Sequence, residues 1–286
     1  MIEQLRQHLQ ALQKPAGIVD AADALPLGIA AIDQALGGGL ARGALHEIAA
    51  PGEAHLAAAT GFVLGLVSSS RQHPPLSFRG ASRASEPGIQ GQALYLTSLD
   101  SGPGATRRPG MTAKSILWIA EDMALAESGA PYGPGLDLFN LAPERLLTVG
   151  AAHRRDLLWA MEEALRCRAI GAVIGELRHG ALDTVAVRRL SLAATESGAL
   201  ALLLRARPAS DASTAATRWI VGAAPSPPAA HDLGPSRFTA HLVRNRRGPI
   251  GSWILQWSDI DERFILATPA LPVAAPALDR PDRQVA

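Results

Sequence analysis

Short strand-like runs alternate with longer amphipathic segments through most of the chain. Five runs have the length and apolar content of buried strands: Ala44–Ile48, Ser115–Ala120, Leu146–Val149, Ile170–Ile174 and Ala199–Leu204. Three longer segments have apolar residues at helical spacing: Glu53–Ser70, Arg154–Arg168 and Leu182–Ser197. Strands alternating with helices predict an α/β fold, in which a mostly parallel sheet lies between two layers of helices.

The remaining segments predict how the rest of the chain is organised. Three late runs extend the sheet: Arg218–Ala223, Phe238–Asn245 and Ser252–Trp257. We expect a short N-terminal helix and linker in residues 1–24, and one core made of residues 25–70 and 115–266. Residues 71–114 are rich in Pro, Gly, Ser and Arg around a brief apolar stretch, and residues 267–286 contain four prolines. We expect the flanks of the first segment and the whole tail to be disordered, because such compositions bury too little apolar surface to offset the cost of ordering, and we expect the apolar stretch to be a short strand.

Composition excludes several classes of protein. A chain of 286 residues with 48% hydrophobic residues and a net charge of +1 is large enough for a single core and has no general attraction to nucleic acid. Cys167 is the only cysteine, and we expect it to be a small buried residue. The histidines have no metal-ligand spacing. The N-terminus lacks an apolar signal core and no apolar run is long enough for a membrane span, so we expect a cytoplasmic protein.

A phosphate-binding loop would be expected after the first strand, but its chemistry is missing. Such loops follow the pattern G-x-x-x-x-G-K-[ST], in which the amides cradle phosphate, the Lys contacts it and the hydroxyl binds Mg²⁺. Around Pro51 and Gly52, the four fixed positions are Ala50, His55, Leu56 and Ala57. Moving the frame so that Gly52 comes first places alanines at the other three positions. We therefore expect no cofactor, with ATP and Mg²⁺ binding unlikely.

The residues before this turn are nevertheless specific. The stretch LPLGIAAIDQALGGGLARGALHEI, from Leu25 to Ile48, resembles the start of the RecA/KaiC-type ATPase core. The altered loop and the later segment RNRRGPIGSW make the chain most similar to the ImuA family, RecA-like accessory proteins of bacterial mutagenic translesion synthesis. The resemblance runs from Leu25 to Trp257, with a gap at 71–114. It implies a RecA-like three-layer core.

The resemblance also assigns roles to residues after the strands. Glu176 stands where such ATPases hold Mg²⁺ through a carboxylate, and Glu121 or Asp122 stands where a glutamate activates water. Acidic residues are common at these strand ends, because the loops there are exposed and face helix N-termini. Since charge neutralisation is most of phosphoryl-transfer catalysis, the absent lysine indicates a vestigial nucleotide site and no catalytic residue.

Arginines supply the remaining candidates. In RecA a K-N-K motif on a late strand contacts the nucleotide of the adjacent subunit, and Arg244–Asn245–Arg246 matches it, with Arg247 following. These residues are predicted to bind a partner, unless they are a solvated hairpin tip. RecA-like proteins bind DNA through two loops, for which the weak candidates are Arg178, Arg205 and Arg207. Neither loop has an aromatic residue for base stacking.

The function that follows is a non-enzymatic adaptor in SOS-induced error-prone translesion synthesis. The resemblance implies three partners: an inactive Y-family polymerase homologue like ImuB, an error-prone replicative-type polymerase subunit, and RecA. Two alternatives stay open. One is a cell-division inhibitor like SulA, although this chain is long for that family. The other is a DNA-dependent ATPase with an atypical phosphate site, which nucleotide titration distinguishes from an adaptor.

Overall fold

The computed structural model describes residues 24–72, 96–97, 114–180, 182–209, 213–227 and 234–267. The predicted N-terminal helix lies outside these residues, as do the tail beyond 267 and nearly all of the insertion at 71–114. Within the insertion, the described residues continue a helix to Gln72 and add one short strand at Leu96–Thr97.

Among the described residues, twelve strands form two sheets. In chain order they are β1 (Ala24–Leu25), β2 (Leu40–Ala41), β3 (Leu45–Ala49), β4 (Leu96–Thr97), β5 (Ser115–Glu121), β6 (Leu146–Ala151), β7 (Ile170–Leu177), β8 (Leu200–Arg205), β9 (Thr217–Ala223), β10 (Arg237–Asn245), β11 (Gly251–Ser258) and β12 (Arg263–Leu266). The strands β1 and β2 pair with each other, and the other ten form one sheet in the order β12-β11-β10-β9-β3-β8-β7-β5-β6-β4.

The centre of the large sheet is parallel and its two ends are antiparallel. Strands β9, β3, β8, β7, β5 and β6 all run in the same direction. Strands β10, β11 and β12 continue the sheet beyond β9 as antiparallel neighbours, and β4 pairs antiparallel with β6. The predicted parallel core and its late extension are confirmed. The sequence did not indicate β12, which has only four residues.

Helices cover both faces of the sheet. They are α1 (Ala30–Ala35), α2 (Leu56–Gln72), α3 (Asp122–Ser128), α4 (Gly133–Asp137), α5 (Arg154–Arg166) and α6 (Thr184–Ser197). Helices α2, α3 and α4 contribute to one apolar core, and α5 and α6 contribute to a second core on the opposite face. The three-layer arrangement is therefore as predicted.

The core under α2 is built from aromatic side chains. Phe62 packs against Trp219, Phe238 and Phe264, with ring centroids 5.2 to 6.2 Å apart. Gly65 lets the Phe264 ring approach the helix so closely that a Cβ at this position would overlap it. These contacts fix the antiparallel end of the sheet to the first long helix.

The second core depends on α5 and α6. Helix α6 begins at Asp183, whose carboxylate accepts a hydrogen bond from the Val185 N–H, and ends at Gly198 in the left-handed conformation. Helix α5 ends at Arg166, two residues before the predicted end. Cys167 therefore caps the helix outside its apolar face and is exposed. The expectation that this cysteine is buried is wrong.

Candidate functional site

The turn after β3 is closed against the sheet. Gly52 is extended, with φ −178°, and a short 3-10 turn at Glu53–His55 leads into α2. The His55 ring accepts a hydrogen bond from the Ala223 N–H through Nδ1, at 3.1 Å. A Cβ on Gly222 would lie 3.3 Å from both Pro51 and His55. The backbone after the first strand is thus held against β9.

The side chains of this turn offer no group that binds phosphate. Leu56 occupies the lysine position and is 8% exposed, packed in the core under α2. Ala50 is fully buried and Ala57 is exposed. Glu53 accepts a hydrogen bond from Arg207 at 3.2 Å, so the charged group on the turn is an anion already paired with a cation.

The carboxylate predicted to hold Mg²⁺ is occupied by neighbouring side chains. Glu176 is 7% exposed at the end of β7. Its Oε1 accepts a hydrogen bond from Arg178 Nε at 2.8 Å, and its Oε2 accepts one from Trp118 Nε1 at 3.2 Å. Trp118 was not among the predicted site residues, and its 58-residue separation from Glu176 leaves no local signal.

The other two predicted carboxylates lie on the neighbouring strand end. Glu121 is half-buried at the end of β5, and Asp122 is exposed at the start of α3. Strand β5 pairs with β7 through Ala120 and Glu176, so Glu121 and Glu176 end adjacent strands. The structure thus brings the carboxylates to the same edge of the sheet as the turn. The residue at the lysine position of that turn is Leu56, which carries no charge.

Two of the three DNA-loop candidates are engaged inside the protein. The Arg178 side chain is 12% exposed and also donates to Ser128 Oγ at 2.6 Å. Arg205 is buried and donates to the Gly180 carbonyl at 2.8 Å. Arg207 keeps 66% of its side chain exposed while it contacts Glu53.

The hairpin between β10 and β11 separates the four partner-binding candidates into two pairs. Asn245 donates through Nδ2 to the carbonyls of Ala35, at 2.7 Å, and Pro249, at 2.9 Å. Its Oδ1 accepts from the Arg247 N–H at 3.0 Å, and Arg247 donates to the Gly37 carbonyl at 3.2 Å. Asn245 and Arg247 therefore fasten the hairpin tip to the Gly-rich segment after α1.

The other two arginines are available for contact. Arg246 is exposed and Arg244 is half-buried. Across the described residues, neither guanidinium has an ion pair or a side-chain hydrogen bond. Arg244 lies opposite Arg218 in the β9–β10 register, and the Arg218 side chain is turned to Glu47. Hence Arg244 and Arg246 form a cationic hairpin tip on a fixed backbone.

A buried polar group that sequence reasoning did not assign lies on β3 itself. His46 is fully buried, with Nε2 2.7 Å from the Ala41 carbonyl and Nδ1 2.8 Å from Thr217 Oγ1. A carbonyl only accepts, so Nε2 carries the proton and Nδ1 accepts from the Thr217 hydroxyl. Trp219 Nε1 donates to that same hydroxyl oxygen at 3.0 Å. Burial lowers the pKa of His46 to about 4, which keeps the ring neutral.

Glu47 makes the corresponding contacts on the opposite face of β3. It is 1% exposed and accepts hydrogen bonds from Arg218 Nε, at 2.8 Å, and from the Ser213 hydroxyl. Arg218 also donates to the Ala209 carbonyl at 3.0 Å. Glu47 thereby fastens the connector between β8 and β9 to the central strand, which is a structural role.

Two further searches covered the described part of the chain, one for clusters of metal ligands and one for helices that could span a membrane. No three of its His, Cys, Asp and Glu side chains are grouped to hold a metal ion. None of its helices has the length and apolarity needed to cross a bilayer.

The strand order and the two helical layers define an α/β protein whose turn after the first core strand carries neither lysine nor hydroxyl. Over 176 residues the chain is 32% identical to the protein ImuA of two strains of Caulobacter vibrioides, an alignment covering 57% of this chain and 67% of the relative. The chain therefore belongs to the ImuA family, which confirms the resemblance seen in the sequence.

The chain was also compared with solved structures and with protein-family models. The crystal structure of the RadB recombinase matches with a TM-score of 0.46 and 12% sequence identity, over 84% of this chain and 98% of that one. No protein-family model matches the chain.

Proposed function

We propose that the protein is a non-enzymatic accessory protein in SOS-induced error-prone translesion DNA synthesis, acting by docking on protein partners. Membership of the ImuA family supports the pathway. The observation that carries the non-enzymatic part is Leu56, a core residue at the position where a phosphate-binding lysine would lie. Glu176 adds support, because Arg178 and Trp118 occupy both of its carboxylate oxygens.

The proposed partners are an ImuB-like inactive Y-family polymerase, an error-prone replicative-type polymerase subunit, and RecA. The proposed docking residues are Arg244 and Arg246, because they are the hairpin arginines without an internal contact in the described structure. Asn245 and Arg247 act indirectly by fixing the tip on which those arginines stand. A cationic tip on a fixed backbone suits protein recognition, since the partner need not order that backbone on binding.

Nucleotide titration tests the non-enzymatic part. By calorimetry we expect ATP with Mg²⁺ to bind with a Kd of about 1 mM or weaker, which is at most about 4 kcal/mol of binding free energy. Hydrolysis should not exceed background. The Glu176→Gln variant is the matched control, since a functioning site would lose affinity with it. A micromolar Kd that Glu176→Gln abolishes would favour the DNA-dependent ATPase instead.

A pull-down tests the docking part. The double variant Arg244→Asp, Arg246→Asp should weaken association with the ImuB-like protein or RecA about 30-fold, because a desolvated interfacial arginine contributes on the order of 2 kcal/mol. The matched control is Arg155→Asp, Arg188→Asp, which makes the same charge change on α5 and α6. Both variants should melt at the parent temperature. Unchanged binding of the hairpin variant to both partners would place the docking face elsewhere.

A further inference from the structure

Three large apolar side chains are exposed on the α3–α4 surface, which comprises residues 121–144. Met123 is 69% exposed, Tyr132 is 75% exposed and Leu138 is 62% exposed. They lie within 16 residues of one another in the chain. Several exposed apolar side chains in one short segment are typical of a protein-binding surface, whereas scattered single ones need no explanation.

The backbone that carries these side chains is anchored to the core. Leu136 and Phe139 are buried on either side of Leu138, and the Phe139 ring lies 5.2 Å from the Trp257 ring. Trp257 Nε1 donates a hydrogen bond to the Leu138 carbonyl at 2.8 Å. The apolar side chains are therefore presented by a segment that is held from below, and a binding partner need not order it.

The charge of the same surface identifies the kind of partner. Residues 121–144 contain no Lys, Arg or His, and five carboxylates, in a chain whose net charge is +1; they are Glu121, Asp122, Glu127, Asp137 and Glu144. All except half-buried Glu121 are exposed. No cation in the described residues forms an ion pair with any of the five.

We infer that the α3–α4 surface binds a basic segment of a protein partner, one that carries a large apolar side chain among its arginines and lysines. The carboxylates would attract the cations, and Tyr132 and Met123 would take the apolar side chain. Nucleic acid and anionic lipid are repelled by the same charges, so the partner is a protein. This surface is distinct from the hairpin tip. If it bound no basic peptide, the docking role proposed for Arg244 and Arg246 would be unaffected.

Selection from a peptide library tests this inference without naming the partner. Random 16-residue peptides on phage are panned against the full chain, and the strongest peptide is measured by fluorescence anisotropy. The charge variant is Asp122→Asn, Glu127→Gln, Asp137→Asn, and the apolar variant is Tyr132→Ala. The control variant, Glu163→Gln, Glu196→Gln, Asp259→Asn, removes the same number of carboxylates from other exposed positions.

We expect the selected peptides to be rich in Arg and Lys with at least one large apolar residue. The charge variant and Tyr132→Ala should each weaken the peptide about tenfold or more, and the control should stay within about twofold. Hydrogen exchange on the unmodified protein should show protection by the peptide in residues 121–144. Acidic peptides, equal affinity for all variants, or protection confined to other segments would overturn the inference.

Discussion

Strand β3 and the turn that follows it differ in where their polar side chains lie. His46 and Glu47 lie inside the sheet, where apolar residues are expected, and each is buried and hydrogen-bonded. The turn from Ala50 to Ala57 lies where a ligand site is expected, yet Leu56 is in the core and the charged Glu53 is paired with Arg207. Buried polar contacts therefore lie inside the sheet, whereas the turn carries one exposed ion pair and one hydrogen-bonded histidine.

The difference shows that buried polar side chains, rather than the turn, join the central strand to its neighbour β9. The two polar residues of β3 join it to β9 on both faces of the sheet, through Thr217 and Arg218. These contacts stabilise the strand order whether or not a nucleotide binds. The turn contributes differently, because Leu56 packs in the core, His55 accepts a hydrogen bond from β9, and Ala57 faces solvent.

The largest expected effect is the loss of stability when the buried Glu47 carboxylate is removed, compared with removal of the exposed Glu53 carboxylate. Glu47→Ala should lower the free energy of unfolding by about 3–5 kcal/mol, because it removes the carboxylate that a buried guanidinium contacts. Glu53→Ala, which removes an exposed pair with Arg207, should lower it by less than about 1 kcal/mol. Urea unfolding of both variants measures the contrast. Equal losses would mean that the buried contact is no more important than the surface one.

The next effect is a pH dependence that comes from His46. Its pKa is about 4 in the folded protein and about 6.5 when unfolded, so the unfolded state binds the proton first as the pH falls. The contribution of His46 to the free energy of unfolding should be fully present above pH 6.5 and fall by about 3 kcal/mol between pH 6.5 and 4. Denaturant unfolding across this window measures it. His46→Gln should be less stable at pH 7 but lose less on acidification; an equal pH dependence in both proteins would contradict the assignment.

The smallest effect comes from restoring the missing lysine. Leu56→Lys should cost about 1–3 kcal/mol, because a core side chain is replaced by one that must extend its charge to water. It should gain no ATP binding, since Glu176 stays engaged by Arg178 and Trp118. Ala57→Ser at the adjacent exposed position should change stability by less than about 0.5 kcal/mol. Thermal melts and calorimetry decide, and micromolar ATP binding by Leu56→Lys would show that the site is otherwise intact.

Much of the fold could be predicted because it depends on local pattern. The apolar runs that predict β5 and β7 are long enough to be recognised without their neighbours. Strand β12 was missed because Arg263–Leu266 is short, and it is stabilised by Phe264 packing on α2, far away in the chain. Helix α3 was missed because Glu121 and Asp122 were interpreted only as site residues. The exposed position of Cys167 follows from where α5 ends, which patterns locate least well.

The candidate site was less predictable because its contacts join distant residues. The sequence alone shows that the lysine is missing, since that depends on adjacent positions. It does not show that Trp118 binds Glu176, or that Asn245 crosses 210 residues to contact Ala35. The arginines of the RNRR segment consequently have different roles. Arg247 is half-buried and donates to the Gly37 carbonyl, whereas Arg246 is exposed.

The central place of β3 has a consequence for how the protein is made. This strand is synthesised well before its partners β8 and β9, with 171 residues separating His46 from Thr217. At about 5–20 residues per second, synthesis of that interval takes roughly 10–35 s. Throughout it, the edges of the first core strand have no native partner. Pairing of the central strand is thus deferred until β8 and β9 have been synthesised, and an unpaired strand is prone to aggregate during that interval.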